Sequence, residues 1–167
     1  GATDLAVWFH KTGDQKMIVA LQETDMSDVR FRDKVALAVR LRLGAVEDKE
    51  AVRRGTTLFA LPQNARLGAG LIWGTADAIW TTLGDTSRDV NWYTKRATLS
   101  TVYSTTLLYW LGDESPEHEA TWAFLDRRID NVMQFEKLKS QLRDSKGLQN
   151  LMRGPNWFLS KIKAPTS

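Results

Sequence analysis

The sequence predicts an all-α protein, a bundle of amphipathic helices around one core. Three observations carry that reading. Apolar residues recur at three- and four-residue intervals along most of the chain, while the strict alternation of a half-buried strand is nearly absent. Helix-ending punctuation falls between those runs, at Leu61-Pro62, Gly84-Asp85, Gly112 and Ser115-Pro116. The 167 residues, 43% hydrophobic and 26% charged, suit one domain with a sizeable core.

Taken in order, Ser27 is the expected N-cap of a helix that turns Phe31, Val35, Ala38, Val39 and Leu43 inward and Arg40 and Arg42 outward. A weaker helix runs from about Asp48 and stops before Pro62, because proline disfavours helical backbone in the residue before it. Leu61-Pro62-Gln63-Asn64 is a break and a fresh N-cap. The helix that follows, to about Leu83, carries Leu67, Leu71, Ile79 and Leu83 with Trp73 and Trp80. Gly70, Gly74 and Ala78 recur every four residues, a bare stripe expected to let a neighbouring helix approach closely. Gly84 ends this helix. The next one opens in 85–96, capped by Asp85, Ser87 or Asp89, and turns Trp92, Leu99, Val102, Tyr103, Thr106 and Trp110 inward until Gly112. Ser115 and Pro116 supply an N-cap and a first-turn proline for a helix that buries Trp122, Leu125, Ile129, Val132 and Met133.

Charge divides the chain unevenly. Residues 137–167 hold seven cations and one anion, net +6, whereas the other 136 residues hold 16 cations and 19 anions, net −3. Leu138, Leu142, Leu148, Leu151 and Met152 recur at helical spacing among these cations, and Trp157, Phe158, Leu159 and Ile162 follow the Gly154-Pro155 interruption. The expected organisation is a helical domain over 1–136 and a basic amphipathic segment over 137–167. Each cation near an anionic bilayer contributes about 1 kcal/mol, and each buried methylene about 0.8 kcal/mol. That favours reversible binding at a membrane surface through Trp157, Phe158, Leu159, Lys161, Ile162 and Lys163; the alternative is a last helix folded onto the core. No apolar run reaches the ~20 residues that span a bilayer. The chain begins with Gly1 rather than Met, as a processed chain or an excised piece would.

Catalytic chemistry finds little support. There is no cysteine, and His10 and His118 lie far apart without metal-ligand spacing. His118, between Glu117 and Glu119 in a first turn, reads as a solvated residue. Gly68-Ala69-Gly70-Leu71-Ile72-Trp73-Gly74 has its third glycine one residue too late for a dinucleotide loop, and no strand precedes it. Gly-x-Ser-x-Gly is absent. The basic pairs Arg53-Arg54, Lys95-Arg96 and Arg127-Arg128 sit on different helices beside acids, which argues against nucleic acid. The expectation is no enzyme, no cofactor, no metal and no nucleic-acid partner.

One stretch stands apart. Asp85 through Arg96 crowds Trp92 and Tyr93 together with Asn91, Asp89 and two cations at the start of a helix. Aromatics supply contact area and charges supply direction, the mixture of a recognition surface. Neighbouring residues on a helix point about 100° apart, so Trp92 is expected inward and Tyr93 outward. Asp89 serves equally as cap or contact.

Asp89-Val90-Asn91-Trp92-Tyr93-Thr94-Lys95-Arg96-Ala97, continued by Tyr103, Ser115-Pro116 and Thr121-Trp122-Ala123-Phe124-Leu125-Asp126-Arg127-Arg128-Ile129, resembles the signature of the ubiquinone-biosynthesis lipid-binding accessory family. Leu61-Pro62-Gln63-Asn64, Trp80, Asp4-Leu5 and Phe9-His10 extend the likeness, which covers the chain to about residue 136. The resemblance implies a bundle like the ligand-binding and dimerisation domain of TetR-like proteins, without the helix-turn-helix. The family's upstream helix-turn-helix-like region has no counterpart here, as in a ligand-binding portion alone.

The resemblance further implies a non-enzymatic homodimer that holds an isoprenoid quinone precursor or phospholipid. It would present the precursor to the di-iron demethoxyubiquinone hydroxylase, as a cytoplasmic protein peripheral to the inner membrane, or on the mitochondrial matrix side in a eukaryote. Carried across, the docking residues are Asp89, Asn91, Trp92, Tyr93 and Arg96. By periodicity, Leu71, Ile79, Leu99, Val102, Tyr103, Ile129 and Met133 are pocket candidates, the alternative for each being a place in a dry core. The competing function is the effector-binding domain of a TetR-like transcriptional regulator.

Overall fold

The computed structural model describes residues 1–145 and 160–166. Six α-helices make up the bundle: α1 (Ala2–Glu23), α2 (Phe31–Gly44), α3 (Lys49–Ala60), α4 (Ala65–Thr82), α5 (Val90–Gly112) and α6 (Glu119–Asp144). Single 3₁₀ turns at Pro62–Asn64 and Pro116–His118 lead into α4 and α6, and the described residues contain no strand.

The central helix pair is α4 against α5. α1 packs on α2 and α4, and α6 closes the far side against α5 and α2. Met17 and Leu21 of α1 meet Val39 and Leu43 of α2, Ile79 of α4, Leu99 and Tyr103 of α5, and Leu125 and Ile129 of α6 in one apolar cluster. Each such side chain taken from water contributes about 1.5–3 kcal/mol, so this cluster fixes the helix faces.

α1 has no counterpart among the elements expected from the sequence, although Leu5, Phe9, Gly13, Met17 and Leu21 recur every four residues. α2 starts after Arg30 rather than Ser27. Asp25 Oδ1 accepts from the Ser27 amide and hydroxyl, at 3.0 and 2.8 Å, so that hydroxyl is spent in a turn and does not cap the helix. Arg42 is buried, not outward. Gly13 makes room for it: a Cβ there would lie 2.5 Å from the guanidinium.

The Gly70–Gly74 stripe faces open space, and no neighbouring helix uses it. Close approach occurs instead at Gly68, where a Cβ would meet Phe59 Cβ at 2.7 Å, because the tight turn at Pro62 folds α3 directly back on α4. On α6, Leu125 and Ile129 are buried as expected, Trp122 and Val132 are half-buried, and Met133 is 51% exposed because no helix covers that turn. His118 is half-buried between Trp110 and Trp122, not freely solvated. α6 runs through residue 136 without a break and ends at Asp144.

Candidate functional site

Two features outside the core carry functional geometry: a cavity between helices, and the surface at the start of α5.

The cavity holds about 940 Å³ and is walled by α1, α3, α4 and α5. α3 explains why it exists. Asp48 caps that helix by accepting from the Glu50 and Ala51 amides at 2.9 and 3.1 Å, and Asn64 Nδ2 donates to the Leu58 carbonyl near its other end. The helix is amphipathic, yet none of its residues is fully buried: Val52, Leu58 and Phe59 are half-buried and line the cavity. Phe9, Ile72 and Leu107 complete an apolar wall, and Leu5 and Leu108 stand exposed at its edge.

One wall is polar. His10 Nε2 lies 3.1 Å from the Leu71 carbonyl and 2.9 Å from Thr75 Oγ1. Thr75 Oγ1 donates to Asp14 Oδ1 at 2.8 Å, Arg42 Nε donates to the same oxygen at 2.6 Å, and Arg42 NH2 donates to the His10 carbonyl at 2.9 Å. Arg42 also lies over the Tyr103 ring. Burial, followed by the positive charge of Arg42, pushes the imidazole pKa of His10 down; Asp14 and the Leu71 carbonyl oppose this. Burial likewise raises the Tyr103 phenol.

Among the pocket candidates from the sequence, Leu71 and Tyr103 line this cavity. Ile79, Leu99, Val102 and Ile129 lie in the core cluster away from its lining, and Met133 is exposed on α6. His10, Arg42, Phe9, Phe59 and Leu107 also line the cavity and are not among those candidates. The signals that mark them are the four-residue recurrence through α1 and the His10–Asp14 pair one turn apart.

The second feature rests on buried charge. Asp85, its side chain 2% exposed, takes Lys95 Nζ at 2.8 Å and Arg96 NH1 at 2.9 Å. Arg96 Nε reaches Asp77 at 2.7 Å, NH1 also donates to the Trp92 carbonyl, and the guanidinium covers the Trp92 ring at 4.2 Å. Burial works against the ionised Asp85, but hydrogen bonds from Lys95, Ser87 and Arg96 outweigh it and hold the carboxyl well below the usual range. Above this network, Asp89 caps α5 by accepting from Asn91 N at 3.0 Å and from Asn91 Nδ2 at 3.3 Å.

Trp92 and Tyr93 are both half-buried and meet edge to face at 4.8 Å, with Trp73 beyond at 6.0 Å. The expected split into an inward Trp92 and an outward Tyr93 therefore does not hold: Trp92 sits on the guanidinium, outside the core cluster. Arg96 is 2% exposed and supports the aromatics from beneath. The C-terminal segment returns here, with Tyr93 Oη donating to the Lys163 carbonyl at 3.2 Å and Ala164 N to the Arg88 carbonyl at 2.8 Å. Lys161 and Lys163 are exposed and Ile162 half-buried; Trp157, Phe158 and Leu159 lie outside the described residues. Among the described residues no acidic and histidine cluster is placed to hold a metal ion, and no helix is long and apolar enough to cross a membrane.

The build is that of a helical-bundle protein with an apolar cavity and a separate aromatic surface. Residues 65–136, from α4 into α6 and including the whole 85–96 stretch, match the COQ9 family model. The chain is 30% identical to the probable ubiquinone biosynthesis protein coq9, mitochondrial, of Dictyostelium discoideum, across 97% of this chain and 53% of that protein. It is 32% identical to the human ubiquinone biosynthesis protein COQ9, mitochondrial, across 79% of this chain and 41% of the relative. The Drosophila melanogaster protein of the same name is 38% identical across 84% of this chain and 45% of its own length. The match places residues 65–136 in the COQ9 family, and the chain spans about half or less of the length of these relatives, whose names assign them to ubiquinone biosynthesis.

Proposed function

We propose that this chain is a lipid-binding accessory protein of ubiquinone biosynthesis that performs no chemistry itself. In this reading it presents a hydrophobic quinone precursor to a di-iron demethoxyubiquinone hydroxylase. The observation that carries the reading is the cavity: about 940 Å³ walled by Phe9, Leu58, Phe59, Ile72 and Leu107, the size and lining of a site for a largely apolar ligand. Leu71 and Tyr103 belong to its wall; Ile79, Leu99, Val102 and Ile129 support that wall from the core.

The surface at the start of α5 is the docking face in this proposal. Asp89, Asn91, Trp92 and Tyr93 form the contact and Arg96 the support beneath it. Membrane attachment falls to the basic C-terminal segment, helped by the exposed Met133, Leu138 and Leu142 on the last turns of α6. The names of the relatives place those proteins in mitochondria, and we assign this chain to the matrix side of the inner membrane, working as a homodimer.

The test is lipid content. Gly55 lines the cavity, and a Cβ there meets nothing within 4 Å, so a side chain can be introduced at this point of the wall, and Gly55→Phe is designed to fill part of the cavity. Mass spectrometry of organic extracts should find an isoprenoid lipid with the purified wild-type protein and much less with Gly55→Phe. Absence of any isoprenoid or phospholipid from the wild type would remove the reading.

A further inference from the structure

The polar wall of the cavity sets a hydrogen-bonding demand that the ligand must meet. His10 Nε2 faces the Leu71 carbonyl, which only accepts, and the Thr75 hydroxyl, whose hydrogen is directed to Asp14 Oδ1 at 2.8 Å or the Leu71 carbonyl at 3.2 Å. Nε2 therefore carries the proton. The other nitrogen, Nδ1, has no hydrogen-bond partner among the described residues, and it is not among the side-chain atoms sealed away without one. His10 lines the cavity, and the protein leaves the lone pair of its Nδ1 unpaired beside the apolar wall of Phe9, Ile72 and Leu107. The depressed basicity of this imidazole keeps that lone pair free.

Arg42 does not turn the wall into an anion site. Its charge is matched by Asp14 at 2.6 Å, and the remaining charged lining residues are Asp48, Glu50 and Arg54, with Glu50 held by Arg54. No surplus of positive charge is available for a phosphate. Tyr103 Oη, which has no hydrogen-bond partner among the described residues, can serve either a carbonyl or a hydroxyl, so discrimination falls on His10.

We infer that the cavity selects a lipid whose aromatic head carries a hydroxyl, a phenol or hydroquinone, over the fully oxidised quinone and over an anionic phospholipid, with His10 Nδ1 as the acceptor. This rests on the lipid-binding reading of the same cavity. A hydroquinone donates O–H to Nδ1. A quinone offers only acceptors and leaves Nδ1 desolvated and unpaired.

The experiment measures binding of three probes to the full chain under argon: a diprenyl hydroquinone, the matching diprenyl benzoquinone, and dioleoyl phosphatidylglycerol. One hydrogen bond predicts about tenfold tighter binding of the hydroquinone than of the quinone. His10→Leu should bind both prenyl probes with equal affinity, and His10→Gln, which restores an acceptor oxygen, should recover part of the preference. Equal affinities in the wild type, or a preference that survives in His10→Leu, would overturn the inference while leaving the cavity as a lipid site. Failure of all three probes to bind would remove the lipid-binding reading as well.

A second readout needs no variant. The chain has only two histidines, so the ring ¹⁵N signals of uniformly labelled protein are readily assigned. The His10 Nδ1 resonance should move upfield, as a nitrogen accepting a hydrogen bond does, with the hydroquinone and not with the quinone. An identical spectrum with both probes bound would contradict the inference.

Discussion

Replacing Arg96 with methionine removes the cation on which the α5 surface is built, while keeping much of the side-chain volume. The guanidinium is 3% exposed and joins Asp85, 2% exposed, at 2.9 Å to Asp77 at 2.7 Å. Breaking a buried pair costs roughly 3–5 kcal/mol because a desolvated charge is left behind. Here Asp85 keeps Lys95 at 2.8 Å and the Ser87 hydroxyl at 2.6 Å, while Asp77 is 45% exposed and rehydrates. Both arguments favour the low end, about 3 kcal/mol. At roughly 2–4 °C per kcal/mol for a domain of this size, Tm should fall by about 6–12 °C in a calorimetric scan. Arg96→Lys keeps the charge but loses the planar fork that reaches both carboxylates, and should fall in between. A Tm for Arg96→Met within about 2 °C of wild type, against the 2–4 °C expected per kcal/mol, would refute the view that this network holds the start of α5.

Four further outcomes follow from the same geometry. Asp85 has a depressed carboxyl pKa in the folded state, so its contribution is full above its unfolded value of about 3.9 and is lost as pH falls below it. Asp85→Asn should be less stable at neutral pH and show a flatter acid limb in urea titrations; an unchanged acid limb would count against the ion pairs. Trp92→Ala or Tyr93→Ala should weaken capture of the hydroxylase while far-ultraviolet circular dichroism stays unchanged, and undiminished capture would end the docking proposal. Gly68→Ala forces a Cβ to within 2.7 Å of Phe59 Cβ, a backbone-proximal atom that cannot swing aside. It should cost about 1–3 kcal/mol by denaturant titration; a neutral result would mean that α3 moves freely on α4. Removing residues 145–167 should reduce flotation with anionic liposomes, most clearly at low salt, and equal flotation would end the membrane role proposed for that segment.

The helices from α2 onward could be read from the sequence because each has its own period and punctuation; Gly84, Pro62 and Gly112 all fall at ends. α1 was as periodic as any, but it offers no internal breaker and no side-chain cap at Gly1, so only its spacing marks it. Charge misled where the partner was distant along the chain. Arg42, expected outward, finds Asp14, 28 residues earlier, and is buried although an unpaired arginine would face water. The aromatic stretch at the start of α5 was visible as composition, but its ordering was not: Trp92 meets Tyr93 edge to face and lies over the Arg96 guanidinium. The cavity was least legible. Apolar spacing tells which face turns inward, not whether atoms fill the space there, and α3 with its half-buried face is the case in point.

The central claim is that the space between α1, α3, α4 and α5 holds the lipid. A diazirine-bearing isoprenoid, irradiated with the full chain and mapped by peptide mass spectrometry, tests it most directly. Adducts are predicted on Phe9, Leu58, Phe59, Ile72 and Leu107, with loss of labelling in Gly55→Phe. Adducts confined to the exposed Met133, Phe135, Leu138 and Leu142 face of α6, with the cavity residues unlabelled, would contradict it.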